Sequence, residues 1–181
     1  MRCTGRLSFL YRNSSLLDYF TRKTLCSSLI QPYLDYCCSS WYSCLTQRLR
    51  SRLDVLQRRM VRFIFSMDAM QHVGSSDFRK LSWLTVSDRV RYFKLVHVFK
   101  IKHCSAPRYL MPNFKLITSS HSHSTRGSSH NYFISKDISN APSSFSFTAI
   151  RDWNSLPSEL KEARSELVFR TKLKEYLMVN Y

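Results

Sequence analysis

The twenty residues "RLRSRLDVLQRRMVRFIFSM", Arg48 to Met67, constrain the fold of this chain more than any other stretch. Leu49, Leu53, Leu56, Met60, Phe63 and Met67 recur at spacings of 4, 3, 4, 3 and 4. Only an α-helix gathers such positions on one side, because each residue advances about 100° around its axis. The segment reads as a long amphipathic helix with an apolar stripe. It also carries six arginines and one acid, Asp54. With Arg48 set at zero, Arg52, Arg59 and Arg62 fall within about 40° of it and Arg58 near −80°; the stripe centres roughly 100° away. Four or five arginines therefore share a face beside the buried side.

An aligned arginine face suits phosphate oxygens, since each guanidinium can donate two parallel hydrogen bonds to them. The acids that solubilise an ordinary helix back through i,i+4 pairs are missing here. The basic excess continues through Arg79, Lys80, Arg89, Arg91, Lys94, Lys100, Lys102 and Arg108. Between Arg48 and Arg108 stand 14 basic residues against 4 acidic, so +10 of the net +16 lies in one third of the chain. Such self-repulsion is best tolerated when a polyanion neutralises it, which makes the phosphate backbone of RNA or DNA the first partner to consider. The candidate contacts are Arg48, Arg52, Arg58, Arg59 and Arg62, with Arg89, Arg91 and Lys94 as a second group. They carry no base code in themselves. A solvated helix back, a basic piece of a larger protein, and a membrane or partner helix use the same pattern. The membrane reading is the weakest, because no run of 18 or more apolar residues exists and further domain-like sequence follows the stripe.

The rest of the chain reads as mainly α: a small helical bundle, or two helical subdomains joined by a Ser-rich loop. Residues 14–112 form a basic helical region, 113–144 a Ser-rich loop or linker, and 145–181 a C-terminal helical segment. From Ser14 to about Tyr42, Leu17, Phe20, Leu25, Leu29, Tyr33 and Tyr36 give an apolar side, with Pro32 as a kink or helix start. Gly74 marks a turn, and Thr85 with Asp88 makes a capping-box-like start for "VSDRVRYFKLVHVFKIKHC". A short extended piece is expected around Tyr132 to Ser135 inside the Ser-rich segment. Beyond it, two or three helices are expected, one starting at Pro157 and the last buried through Phe169, Leu173, Tyr176 and Leu177.

Several chemistries find little support. Two-metal polymerase or nuclease work needs clustered carboxylates. The eight aspartates here are scattered, and the four glutamates all follow Ser158. Three glycines leave no phosphate-cradling loop. His121, His123 and His130 form H-x-H-x6-H in the Ser-rich segment, and Cys37 and Cys38 are adjacent; neither has the paired spacing of a zinc site. No metal and no cofactor is expected. Five of the six cysteines crowd into the first 44 residues, unlike a secreted disulfide framework, and the N-terminus lacks a signal-peptide core. Reduced thiols in the nucleus or cytoplasm are the expectation.

Four motifs then carry a resemblance. "LIQPYLDYCCSSW" (Leu29 to Trp41), followed by "LRSRLDVLQRRMVRFIF", resembles the segment beyond the polymerase thumb in LINE-type, non-LTR retrotransposon reverse transcriptases. Those proteins show a Leu-Ile-x-Pro-x-Leu-x-Tyr-x4-Trp run and then a helix with a Leu-x-x-x-Gln-Arg-x-x-x-Arg core. "LSWLTVSDRVRYFKLVHVFKIKHCSAPRYL" (Leu81 to Leu110) is similar to the next stretch of that region, and "WNSLPSEL" with "FRTKLKEYL" to its ending. The set runs in the family's order over roughly residues 24 to 178. The resemblance implies a C-terminal fragment of an RNA-directed DNA polymerase polyprotein, with the catalytic palm carboxylates upstream of Met1, and hence no enzyme activity of its own. The zinc knuckle that some relatives carry near the C-terminus has no counterpart here. The expected function is non-catalytic nucleic-acid binding. The rival is a structural fragment whose stripe packs on the missing polymerase domain, a pseudogene-like product with no independent function.

Overall fold

The computed structural model describes residues 2–119 and 130–179. These residues are mainly α, as the periodicity predicts. Among the described residues eleven α-helices follow one another: α1 Arg2–Arg12, α2 Tyr19–Leu29, α3 Gln31–Asp35, α4 Cys38–Trp41, α5 Gln47–Phe65, α6 Ser75–Leu81, α7 Val86–Lys102, α8 Lys136–Ser139, α9 Phe145–Asn154, α10 Ser158–Lys161 and α11 Glu166–Val179. Among the described residues no strand forms, and β pairing is confined to an antiparallel bridge between Leu116 and Tyr132. No helix among them is long and apolar enough to cross a membrane. None of the six cysteines forms a disulfide.

Local chemistry explains the helix ends. The Asp18 carboxylate accepts from the Thr21 N–H at 2.8 Å to open α2, and these Thr21 hydrogen bonds hold its pKa below the usual carboxylate value. Thr85 opens α7 as expected, its Oγ1 accepting from the Asp88 N–H at 3.2 Å. With so few glycines, the αL positions that end helices fall to other residues: Ser66 after α5, Ser82 after α6 and Cys104 after α7. The wrapping bonds are present at each, as in Met67 N–H to Arg62 O at 2.9 Å and Trp83 N–H to Phe78 O at 2.9 Å.

The contacts group the chain into two units, residues 1–38 with 45–89 and residues 39–44 with 90–181. In the first, α1, α2, α3 and α5 pack together around Leu7, Leu10, Cys26, Ile30, Leu34, Met60, Phe63 and Ile64, all buried. The apolar side read between Ser14 and Tyr42 is not this core. Phe20, Leu29, Tyr33 and Tyr36 are exposed, Phe20 at 74% and Tyr36 at 78%. The helix breaks at Ile30 and Tyr36, and the breaks re-aim each short piece, so one continuous wheel does not describe them.

The second unit has an aromatic core. Phe99 stacks on Phe169 with ring centroids 4.5 Å apart, and Trp153 lies 5.8 Å from Phe169. Phe169, Leu173 and Leu177 are buried as expected, whereas Tyr176 is half-buried. The expected extended piece is present: Ile117 N–H donates to Asn131 O at 3.0 Å and Phe133 N–H to Lys115 O at 2.8 Å. The Trp-Asn pair of α9 clasps it. Trp153 Nε1 donates to His130 O, and the Asn154 side chain both donates to Tyr132 O and accepts from Tyr132 N–H, each at 2.9 Å. The Lys161 ammonium, almost fully buried, completes the clasp by donating to Asn131 Oδ1 at 2.8 Å and to Asn154 O at 3.2 Å.

Candidate nucleic-acid interface

Helix α5 has two chemically distinct sides. Its buried side consists of Leu56, Gln57, Met60, Val61, Phe63 and Ile64. This arc is broader than the apolar stripe and centred about 40° further from the arginine row. Leu49 is 41% exposed, and Met67 lies beyond the helix end. Gln57 explains the rotation. Its amide is buried because both ends are satisfied, Nε2 donating to Leu84 O and Oε1 accepting from the Val86 N–H, each at 2.8 Å. A polar residue thereby joins the core and ties α5 to the α6–α7 connection.

The opposite side carries the arginines. Arg48, Arg52 and Arg58 are exposed, and Arg59 and Arg62 half-buried. Two open depressions run along this side. One, of about 550 Å³, is lined by Thr4, Arg48, Ser51, Arg52, Val55, Leu56 and Arg59. The other, of about 360 Å³, is lined by Tyr11, Val55, Arg59, Arg62, Met67 and Ala69. They share Val55 and Arg59, so they are two stretches of one groove between α1 and α5. Among the described residues no carboxylate lines either stretch. Four of the five first-group arginines meet there.

Arg58 does not. It lies on the same helix but acts on Asp54 one turn earlier: burial pushes the Asp54 carboxyl above its usual value, and the Arg58 charge pulls it back. Arg62 donates from Nε to Gln71 O at 2.8 Å, which holds the chain leaving α5 against the groove's end. Arg22, outside both predicted groups, secures that end from beneath. Its guanidinium lies 5.6 Å from the centre of the Phe63 ring and donates to Ser66 Oγ and to Ser14 O, the latter at 2.7 Å. A cation there complements the negative C-terminal end of α5.

The second predicted group is placed differently. Arg89 forms a two-pronged ion pair with Asp35, its Nη2 reaching Oδ2 at 2.6 Å and its Nε reaching Oδ1. Arg91 donates to Ser155 Oγ at 2.9 Å. Lys94 is buried, its ammonium 2.5 Å from Asp152 Oδ2. These three are engaged by partners within the protein, and Lys94 offers no charge at the surface.

Two groove residues outside both predicted groups come from α1. Thr4 and Tyr11, two turns apart on one side of that helix, form the groove's second wall. Tyr11 is fixed there, its hydroxyl donating to Arg59 O at 2.9 Å and its ring edge-on to Phe63 at 5.1 Å. Gly5 and Thr4 weaken the helical signal of α1. The 4 and 3 spacing of Cys3, Leu7 and Leu10 is the cue that marks it.

Of the histidine pattern, His121 and His123 lie outside the described residues, and His130 Nε2 sits 3.0 Å from Glu162 Oε1. Among the described residues no three His, Cys, Asp or Glu side chains are grouped to hold a metal. Comparison with known proteins finds no family model, no curated protein and no solved structure that matches this chain.

Proposed function

We propose that this chain is a non-catalytic, basic nucleic-acid-binding fragment, the C-terminal region of a non-LTR retrotransposon reverse transcriptase polyprotein acting inside the cell. It holds RNA or DNA by the phosphate backbone along α5. The observation that carries the reading is the row of Arg48, Arg52, Arg59 and Arg62 along one groove that no carboxylate lines among the described residues. The segments that carry the resemblance also meet in the fold. Asp35 of the first pairs with Arg89 of the third, and Gln57 of the second bonds to Leu84 and Val86 of the third.

The test is the salt dependence of oligonucleotide binding. Four phosphate contacts give log K against log[salt] a slope between about −3 and −4. Replacing Arg52 and Arg59 together with Ala should flatten it by about 1.5, and a flat response in the unmodified protein would sink the reading. A second reading, a fragment that packs on an upstream polymerase domain, is favoured by the exposed Phe9, Leu16, Phe20 and Tyr36 of the first unit. It requires a surface other than the apolar stripe of α5, since Leu56, Met60 and Phe63 are buried within this chain. A monodisperse protein with a single cooperative thermal transition would argue against it.

A further inference from the structure

The α1–α5 groove is not a flat cationic face, and its floor narrows the class of ligand. Along α5 the arginines are interrupted by Val55, which sits on the same side of the helix between Arg52 and Arg59 and lines both stretches of the groove. Its side chain is 54% exposed, an apolar surface left open in the middle of a cationic row. The edge of Leu56 borders it in one stretch, and Tyr11, Met67 and Ala69 in the other. Tyr11 is held rigidly by its hydrogen bond to Arg59 O and its edge-on contact with Phe63.

We infer that the groove takes a single-stranded nucleic acid rather than a duplex, an inference that rests on the nucleic-acid-binding reading above. The outer surface of a duplex is a convex wall of phosphates with its bases stacked inside. Against this groove it would meet the arginines, but it has no apolar surface to set on Val55 and Tyr11. A single strand has both parts exposed at once. Its phosphates take the guanidinium groups along the rim, and an unstacked base covers the apolar floor, where stacking on a fixed ring needs no particular sequence. From Arg48 to Arg62 the row spans 14 residues of helix, about 21 Å, which is room for a few nucleotides. Arg58 lines neither stretch of the groove.

The experiment uses the full chain, a fluorescein-labelled 12-nucleotide single strand of mixed sequence as RNA and as DNA, and the matching duplexes, read by anisotropy at low salt. The single strands should bind at least tenfold more tightly than the duplexes. Val55→Asn, an exposed change that alters no charge, should lower single-strand affinity several-fold and leave duplex affinity unchanged; Val55→Trp should raise it and quench indole fluorescence on binding. Arg58→Ala should match the unmodified protein, with far-ultraviolet circular dichroism confirming the fold of each variant. Equal or tighter duplex binding, or a single-strand preference indifferent to Val55, overturns the inference while leaving nucleic-acid binding standing. Absence of binding to any of the four probes overturns both.

Discussion

Helices α5 and α7 present much the same sequence signature, a basic run threaded with large apolar residues, yet their cations do opposite work. On α5, Arg48, Arg52, Arg59 and Arg62 line an open groove in which no carboxylate stands among the described residues. On α7, Arg89, Arg91 and Lys94 turn to Asp35, Ser155 and Asp152. Net charge does not distinguish them: α5 carries six basic residues against one acidic, and α7 five against one. What differs is where the few acids fall. Asp35 and Asp152 are distant from α7 in sequence and adjacent to it in space, whereas the acid of α5, Asp54, projects away from the arginine row. A basic residue keeps its charge for a ligand when the fold has brought no carboxylate to neutralise it.

The sharpest break of this comparison is Lys94→Met. It strands the Asp152 carboxylate in a site only 15% exposed and should cost about 3–5 kcal/mol, because an unpaired buried charge is expensive. A lowered denaturation midpoint in urea measures it, and Lys94→Met with Asp152→Leu should recover most of the loss. A near-neutral Lys94→Met would return Lys94 to the list of phosphate contacts.

Gln57→Leu probes the other side of α5. It leaves the Leu84 carbonyl and the Val86 N–H without their partner in the core and should destabilise by about 1–3 kcal/mol, measured the same way. Salt dependence of binding should not change if the groove is intact. The smallest effect on stability is expected for Arg52→Ala and Arg59→Ala, each within about 0.5 kcal/mol of the unmodified protein. A large thermal shift in either would mean that the row is engaged in the fold, as the α7 cations are, and would erase the contrast.

The helical class was legible because hydrophobic periodicity survives in any tertiary setting. Leu56, Met60 and Phe63 recur at helical spacing and are buried wherever α5 packs. Thr85, Pro157 and the Phe169–Leu173–Leu177 face were legible for the same reason, since capping and amphipathicity act over one or two turns. The region from Ser14 to Tyr42 misled because its breaks at Ile30 and Tyr36 destroy the phase of a continuous wheel. α1 was hidden by Gly5, whose cost in helix propensity is offset by the burial of Leu7 and Leu10.

The sequence by itself determined the helices, the excess of positive charge and the alignment of Arg48, Arg52, Arg59 and Arg62 on one side of α5, because these depend on residue type and a repeat of 3.6. Only the tertiary structure decided which cations stay open to a ligand, that Arg58 does not line the groove, and that α1 supplies the second wall with Thr4 and Tyr11. Ion pairing and groove formation depend on residues far apart in the chain, and no local pattern records which of them the fold will bring together.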